Sequence, residues 1–192
     1  MNRLTTILLL LSASLLTARN IPPKQPQPDA KVQGSPGSNK DPHSYSNPEQ
    51  IKVRHLDLDL QVSFEKKTLE GNVILTVERL PRSGTAPLVL DTQDLQIAEV
   101  EAAQGLGTFQ PAPFKLGTPA KILGTPLTIQ LPPEADRVRV RYASSPTAAA
   151  LQWLTPAQTA GKKHPFLFSQ SEAIYARTWI PLQDTPSVRV TY

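Results

Sequence analysis

At 192 residues the chain has room for one ordinary domain plus a leader and a linker, and not for two substantial domains. It contains no cysteine, which excludes disulfides, thiolate metal sites, thiol catalysis and lipid attachment through a thiol. The formal charge of +4 raises the question of a polyanionic partner, but the basic residues are mostly scattered along the chain.

Taken in chain order, residues 1–18 begin with Arg3 near the amino terminus, run through an apolar stretch from Ile7 to Leu16, and end in the small residues Thr17 and Ala18. This is the pattern of a signal peptide, and it predicts an exported protein, periplasmic or extracellular. The apolar stretch falls short of the roughly 18 to 20 residues a membrane-crossing helix needs, so no stable membrane span is expected. Arg19 follows at the place where a lipoprotein would carry its lipidated cysteine, so lipidation there is excluded.

Residues 19–48 are rich in Pro, Gln, Ser, Asn, Gly and Lys, with Pro22, Pro23, Pro26, Pro28, Pro36, Pro42 and Pro48. Their isolated aliphatics cannot bury enough apolar surface to offset ordering entropy, which predicts a disordered linker. Residues 49–192 leave a domain of about 140 residues, large enough to bury about 70% of its unfolded surface.

From Ile51 the hydropathy changes to period two. Leu56, Leu58, Leu60, Val62 and Phe64 alternate with Asp57, Asp59, Gln61 and Ser63, as in a half-buried strand. Leu69, Val73, Leu75 and Val77 predict a second strand with Gly71 as a bulge or bend, and Glu65-Lys66-Lys67 supplies a hairpin turn between them. Short apolar runs over 88–90, 95–100, 127–131, 138–142, 165–168 and 188–192 follow, punctuated by Pro and Gly. The last alternates Val188, Val190 and Tyr192 with Arg189 and Thr191, so the sequence is expected to stop inside a strand. Only 147–154 has helical composition, enough for about two turns. The expected fold is mainly β, a saddle-like antiparallel or mixed sheet sandwich.

Arg137, Arg139 and Arg141 alternate with Val138 and Val140, which puts three guanidinium groups on one strand face. A nucleic-acid site would interleave aromatics for stacking, and only Tyr142 is near, on the opposite face. A solvated strand face is the expected role, and no nucleic acid is expected as a partner. Gly105-Leu106-Gly107 lacks the third glycine and following helix of a phosphate loop and is taken as a turn. The histidines are His43, His55 and His164; none forms the two-histidine, one-glutamate helix face of a zincin, so no metal ligand and no catalytic residue is assigned in this chain.

Ala150-Leu151-Gln152-Trp153-Leu154-Thr155-Pro156, then the run from Phe166 to Ile174, then Gln183-Asp184-Thr185-Pro186-Ser187-Val188 carry the most specific signal. With Asp41-Pro42-His43-Ser44, the stretch from Arg54 to Leu60, and Phe64-Glu65-Lys66-Lys67, they resemble the amino-terminal domain of the zinc aminopeptidase family of aminopeptidase N and leukotriene A-4 hydrolase, the hydrolase branch more than the other. Arg177, Pro181, Asp184 and Pro186 fit the same pattern, and the number and order of these motifs make the resemblance specific.

The resemblance implies a β-saddle whose Gln-x-Glu/Gln-Ala loop reaches into the active site of a following zinc domain. It makes Gln170 and Glu172 the substrate-binding residues. Glu172 would meet the free ammonium of a peptide amino terminus, and Gln170 would hold the peptide backbone by hydrogen bonds. Glu172 stands where the hydrolase carries glutamine and aminopeptidases N carry glutamate, and Ser171 replaces the family's usual cysteine, so peptide recognition is carried over in preference to epoxide hydrolysis. Zinc is the cofactor of the full-length family, but its ligands lie downstream of any residue here. The expected function is therefore substrate recognition within an exported zinc metallo-aminopeptidase, by a chain without the catalytic domain and inactive alone; its partners are a peptide amino terminus and that missing domain. The alternative is a stand-alone periplasmic binding or protein-interaction module.

Overall fold

The structure, a computed structural model, describes residues 40–81 and 83–192. The signal peptide predicted over 1–18 and the linker as far as Asn39 lie outside the described residues.

Strand β1 (Ile51–Ser63) and strand β2 (Thr68–Arg79) form the long hairpin that the alternation predicts, turning at Phe64–Lys67 with Lys67 at a φ of 56°. They are followed by β3 (Leu88–Thr92), β4 (Gln96–Ala103), β5 (Gln110–Pro111), β6 (Phe114–Leu116), β7 (Thr125–Ile129), β8 (Arg137–Ala143), β9 (Leu151–Leu154) and β10 (Phe166–Ser169). The ladders make a five-stranded sheet in the order β1-β2-β8-β4-β5, a three-stranded sheet β3-β7-β6 and a two-stranded sheet β10-β9. Among the described residues every ladder is antiparallel, and a parallel bridge joins His55 to Thr191. The molecule is mainly β, as expected.

Period two decides which side chains meet. Val53, Val73, Leu75, Val138 and Val140 from the large sheet pack against Leu88, Leu90, Leu127 and Ile129 from the three-stranded sheet, all but shielded from solvent. Each such side chain contributes roughly 1.5–3 kcal/mol by leaving water. A second, smaller cluster of Leu69, Ala148 and Leu151, with Trp153, Leu167 and Trp179 against it, holds the β9–β10 hairpin to the domain.

Four local expectations are corrected. Gly71 makes no bulge: the β1–β2 ladder runs unbroken through Leu60↔Gly71, and the register shifts lie between Val53 and His55 and between Ile97 and Glu99. Glycine is needed there for another reason, since φ is +154° and a Cβ would collide with the carbonyl oxygen of Asp59. The helix predicted over 147–154 is a turn followed by strand β9, because Leu151–Leu154 pairs with Phe166–Ser169 and Leu151 docks into the small core. Nonlocal pairing here overrides alanine's helix propensity. Val188–Tyr192 is not a strand: only Thr191 bridges, its N–H donating to the Arg54 carbonyl and its carbonyl accepting from Leu56 N–H. Finally, the last part of the predicted linker is packed, with Ser44, Ser46 and Asn47 buried.

On the outer face of β8 the three arginines are engaged. Arg139 pairs with Glu101 and Arg141 with Glu99, while Arg137 and Arg139 both stack over the Phe109 ring at 5.2 and 4.4 Å. Phe109 is distant in sequence, so the alternation of Arg and Val gave no sign of it.

Candidate functional site

The loop that carries Gln170 and Glu172 leaves the end of β10. Gln170 N–H donates to the Ala150 carbonyl at 2.9 Å, which extends the β9–β10 pairing by one step, and Tyr175 N–H closes a turn onto the Ser171 carbonyl at 2.9 Å. Within that turn, Glu172 N–H donates to the Gln170 side-chain oxygen at 3.0 Å. The Gln170 amide therefore has its acceptor turned to its own loop, and its NH2 group is what it can offer outward. The Glu172–Ala173 peptide is cis. Both Gln170 and Glu172 are exposed, and among the described residues no cation lies within ion-pair distance of Glu172.

Behind the exposed turn stands a braced platform. Trp179 Nε1 donates to the Ser171 hydroxyl at 3.1 Å, and the Thr178 hydroxyl donates to the Tyr175 carbonyl at 2.7 Å while accepting from Ala150 N–H at 3.2 Å. Arg177, with no exposed surface, sits beneath: Nε donates to Asp184 Oδ2 at 3.0 Å, and its terminal nitrogens to the carbonyls of Leu123, His43 and Asp184 at 2.8 to 3.0 Å. One side chain thereby fastens the loop's base to the chain before β1, to the turn before β7 and to the Asp-x-Pro turn. A planar guanidinium with several fixed donors suits this junction better than a lysine would.

Asp91 completes the platform. It is fully shielded, and its carboxylate accepts from the Ser44 hydroxyl at 2.5 Å, Tyr45 N–H at 2.7 Å and Asp184 N–H at 3.0 Å. Burial pushes the Asp91 carboxyl above its ordinary range, against the pull of these hydrogen bonds and the Arg177 charge. At Asp41 burial also works upward, but the His43 N–H, the Thr185 hydroxyl and the His43 charge outweigh it and hold the carboxyl below its ordinary range. Gln183 acts as a strand surrogate: its oxygen accepts from Val53 N–H at 3.0 Å and its NH2 donates to the Ile51 carbonyl at 2.8 Å. Sequence reading put Arg177 and Asp184 in a motif but gave no sign of Asp91 or of the tie to Trp179, whose partners lie on other elements.

Beside the loop is a cavity of about 290 Å³ lined by Gln93, Lys121, Ile122, Ala173, Ile174 and Tyr175. No group of three or more His, Asp or Glu side chains that could hold a metal ion occurs among the described residues. His55 is occupied by the Thr191 hydroxyl at 2.6 Å and Asp57 at 3.2 Å, and His164 lies on an exposed loop. The site can bind and orient a cationic or hydrogen-bonding group through the exposed Glu172 carboxylate and the Gln170 amide.

The described residues form a mainly β domain with an exposed acidic loop seated on a buried polar platform, the build of an accessory domain more than of a catalytic one. Residues 42–192 match the peptidase M1 N-terminal domain, and the chain belongs to that family. It is 45% identical over 157 residues to leukotriene A-4 hydrolase of Xenopus laevis, covering 79% of this chain and 25% of that protein. To leucine aminopeptidase 2 of Yarrowia lipolytica it is 41% identical over 180 residues, covering 91% and 25%. The solved structure of native leukotriene A4 hydrolase from Saccharomyces cerevisiae superposes with a TM-score of 0.70 at 32% identity, covering 85% of this chain and 25% of that one. The chain thus spans about a quarter of the length of the relatives it matches.

Proposed function

We propose that this chain recognises the amino terminus of a peptide on behalf of a zinc metallo-aminopeptidase, with Glu172 as the partner of the free α-ammonium and Gln170 as a donor to the peptide backbone. The observation that carries the reading is the exposed Glu172 carboxylate, free of any cation among the described residues, on a loop whose base is fixed by Trp179, Thr178 and Arg177. The loop backbone is already held by hydrogen bonds, so only the Glu172 side chain has to be ordered when it meets an ammonium. The names of the relatives, a leucine aminopeptidase among them, support the reaction class.

Zinc would belong to a companion catalytic domain, where it would polarise the scissile carbonyl and activate water. The part of this chain is to anchor and align the substrate, and the chain alone is inactive. Export through residues 1–18, to a periplasmic or extracellular location, belongs to the same proposal and rests on the signal-peptide pattern.

The test is a chimaera in which residues 42–192 replace the matching segment of the Yarrowia leucine aminopeptidase 2. It should hydrolyse leucyl-anilide with zinc. Glu172→Gln should raise KM roughly tenfold to a hundredfold, the worth of a charge-assisted hydrogen bond, and Gln170→Ala should do so less. An unchanged KM in a folded Glu172→Gln chimaera would refute the assignment. Chelator-sensitive hydrolysis by the 192-residue chain alone would refute the division of labour. Amino-terminal sequencing of secreted protein that starts at Met1 would refute cleavage of the leader.

A further inference from the structure

The cavity of about 290 Å³ beside the Gln170–Ala173 loop is walled by three chain segments that Arg177 ties together. Gln93, in the turn between β3 and β4, donates its backbone N–H to the Arg177 carbonyl at 2.8 Å. Lys121 and Ile122 come from the turn before β7, where Ala120 and Gly124 exchange backbone hydrogen bonds at 2.8 and 2.9 Å. The Leu123 carbonyl of that turn accepts from Arg177 Nη1 at 2.9 Å. Glycine at 124 lets this turn lie against the first segment, because its φ is +74° and a Cβ there would collide with the Thr92 carbonyl oxygen. Ala173, Ile174 and Tyr175, directly after Glu172, make the third wall, held at its base by the Thr178 N–H on the Tyr175 carbonyl at 3.0 Å.

Three of these side chains end in hydrogen-bond donors: the Lys121 ammonium, the Gln93 amide and the Tyr175 hydroxyl. Among the described residues none of the three side chains is engaged in a hydrogen bond or ion pair, and no carboxylate lines the cavity. Ile122, Ala173 and Ile174 supply apolar surface between them. Unengaged donors, one of them cationic, beside apolar side chains fit a carboxylate carried on an apolar group. Glu172 adjoins Ala173, so a peptide held by its ammonium at Glu172 has these donors within the reach of its first few residues.

We infer that this cavity is a second subsite, which binds a carboxylate of the peptide. That carboxylate is the carboxy terminus of a short peptide or an acidic side chain close to the amino terminus. Lys121 is its ionic partner, Gln93 and Tyr175 are further donors, and Ile122 and Ile174 are the apolar wall. The inference rests on the peptide-recognition reading for the identity of its ligand, and it adds an anionic group to what the substrate must carry.

Amide resonances of the 192-residue chain, followed by NMR while singly charged compounds are added, separate the two subsites. N-acetyl-leucine carries the carboxylate without the ammonium and should move the Gln93 and Ile122 amides saturably, with millimolar affinity. N-acetyl-leucinamide, without either charge, should not. Lys121→Gln should weaken N-acetyl-leucine binding roughly tenfold and Gln93→Ala less, as for a charge-assisted and a neutral hydrogen bond. Lys121 is exposed, so its replacement spares the core, and the remaining resonances report that the fold is kept. Added salt should weaken the binding. The α-amide of N-acetyl-glutamate offers only a side-chain carboxylate, and the tighter of the two acids identifies the source. No saturable movement with either acid, the same movement with N-acetyl-leucinamide, or unchanged binding to Lys121→Gln would each overturn the inference. Leucinamide, with the ammonium alone, addresses Glu172 separately: if it leaves the Gln170 and Glu172 amides unmoved, the ammonium assignment fails while the carboxylate subsite stands.

Discussion

Arg177 and Asp184 form an ion pair with Nε 3.0 Å from Oδ2, in which the arginine has no exposed surface and the aspartate side chain is 11% exposed. Seven residues apart in sequence, they close the segment 177–184 into a loop, and further guanidinium donors reach the Asp184 carbonyl and the distant carbonyls of Leu123 and His43. The pair is the centre of the platform on which the Gln170–Ala173 loop rests.

Removing the arginine should be costly. Arg177→Ala leaves Asp184 buried without its partner and the carbonyls of Leu123 and His43 without donors, and loss of one member of a buried pair costs roughly 3–5 kcal/mol. Urea unfolding of Arg177→Ala, if it folds, should show that loss. Arg177→Lys should recover only part of it, because a lysine cannot span the three segments.

The buried carboxylate at Asp91 makes an acid-range prediction with a defined sign. Its folded-state value is raised above the unfolded one, so the folded protein holds the proton more tightly. Its contribution to stability is therefore complete below the ordinary carboxylate value and is lost as pH rises through the raised folded value. Asp41, held low, acts oppositely, its contribution being lost as pH falls through its folded value. Thermal melts of the parent chain and of Asp91→Asn across the acid range should differ by a gap that shifts against the parent chain as pH rises. A gap independent of pH would remove Asp91 from this role.

Tyr142 is 1% exposed and its hydroxyl has no hydrogen-bond partner among the described residues. Burial alone raises its ionisation above the ordinary tyrosine value. Replacing a buried, unpaired polar group by a hydrocarbon of the same shape is neutral or favourable, so Tyr142→Phe should leave stability unchanged or raise it by about 1 kcal/mol. Equilibrium denaturation that shows a loss above that size would reveal a partner for the hydroxyl.

Gly71→Ala should weaken the hairpin on two counts: the positive φ and the contact of the new methyl group with the Asp59 carbonyl. A loss of more than about 1 kcal/mol is expected, read as a lower urea midpoint. Gln183→Ala removes both partners of the Ile51–Val53 edge and should cost roughly 1–3 kcal/mol by the same measurement.

Much of this fold is legible in the alternation itself. Leu56 is buried while Asp57 and Asp59 are exposed, and Val138, Val140 and Tyr142 point inward opposite the three arginines. The strands over 88–90, 127–131 and 138–142 fall where apolar runs predict them, with ends moved by a residue or two. The two-residue strand at Gln110 and the three-residue strand at Phe114 carry too few residues for a period to register. At 147–154 local composition favours helix, and only pairing with β10 decides for a strand.

The sequence by itself determined the β class, the long β1–β2 hairpin, the inward faces of its strands and the family, the last through the number and order of motifs running from Asp41 to Val188. What only the tertiary structure decided is how polar groups are satisfied. Arg177 becomes a core residue because carbonyls from His43 and Leu123 converge on it, Asp91 is held by Ser44 and Tyr45 from the supposed linker, and Gln183 and Thr191 pair with the first half of the β1 edge. The physical reason is that hydrophobic periodicity is set by neighbours two residues away along the same strand. A buried donor or acceptor instead takes its partner from whichever segment the fold brings within hydrogen-bonding distance, over a hundred residues away in the case of Arg177 and His43.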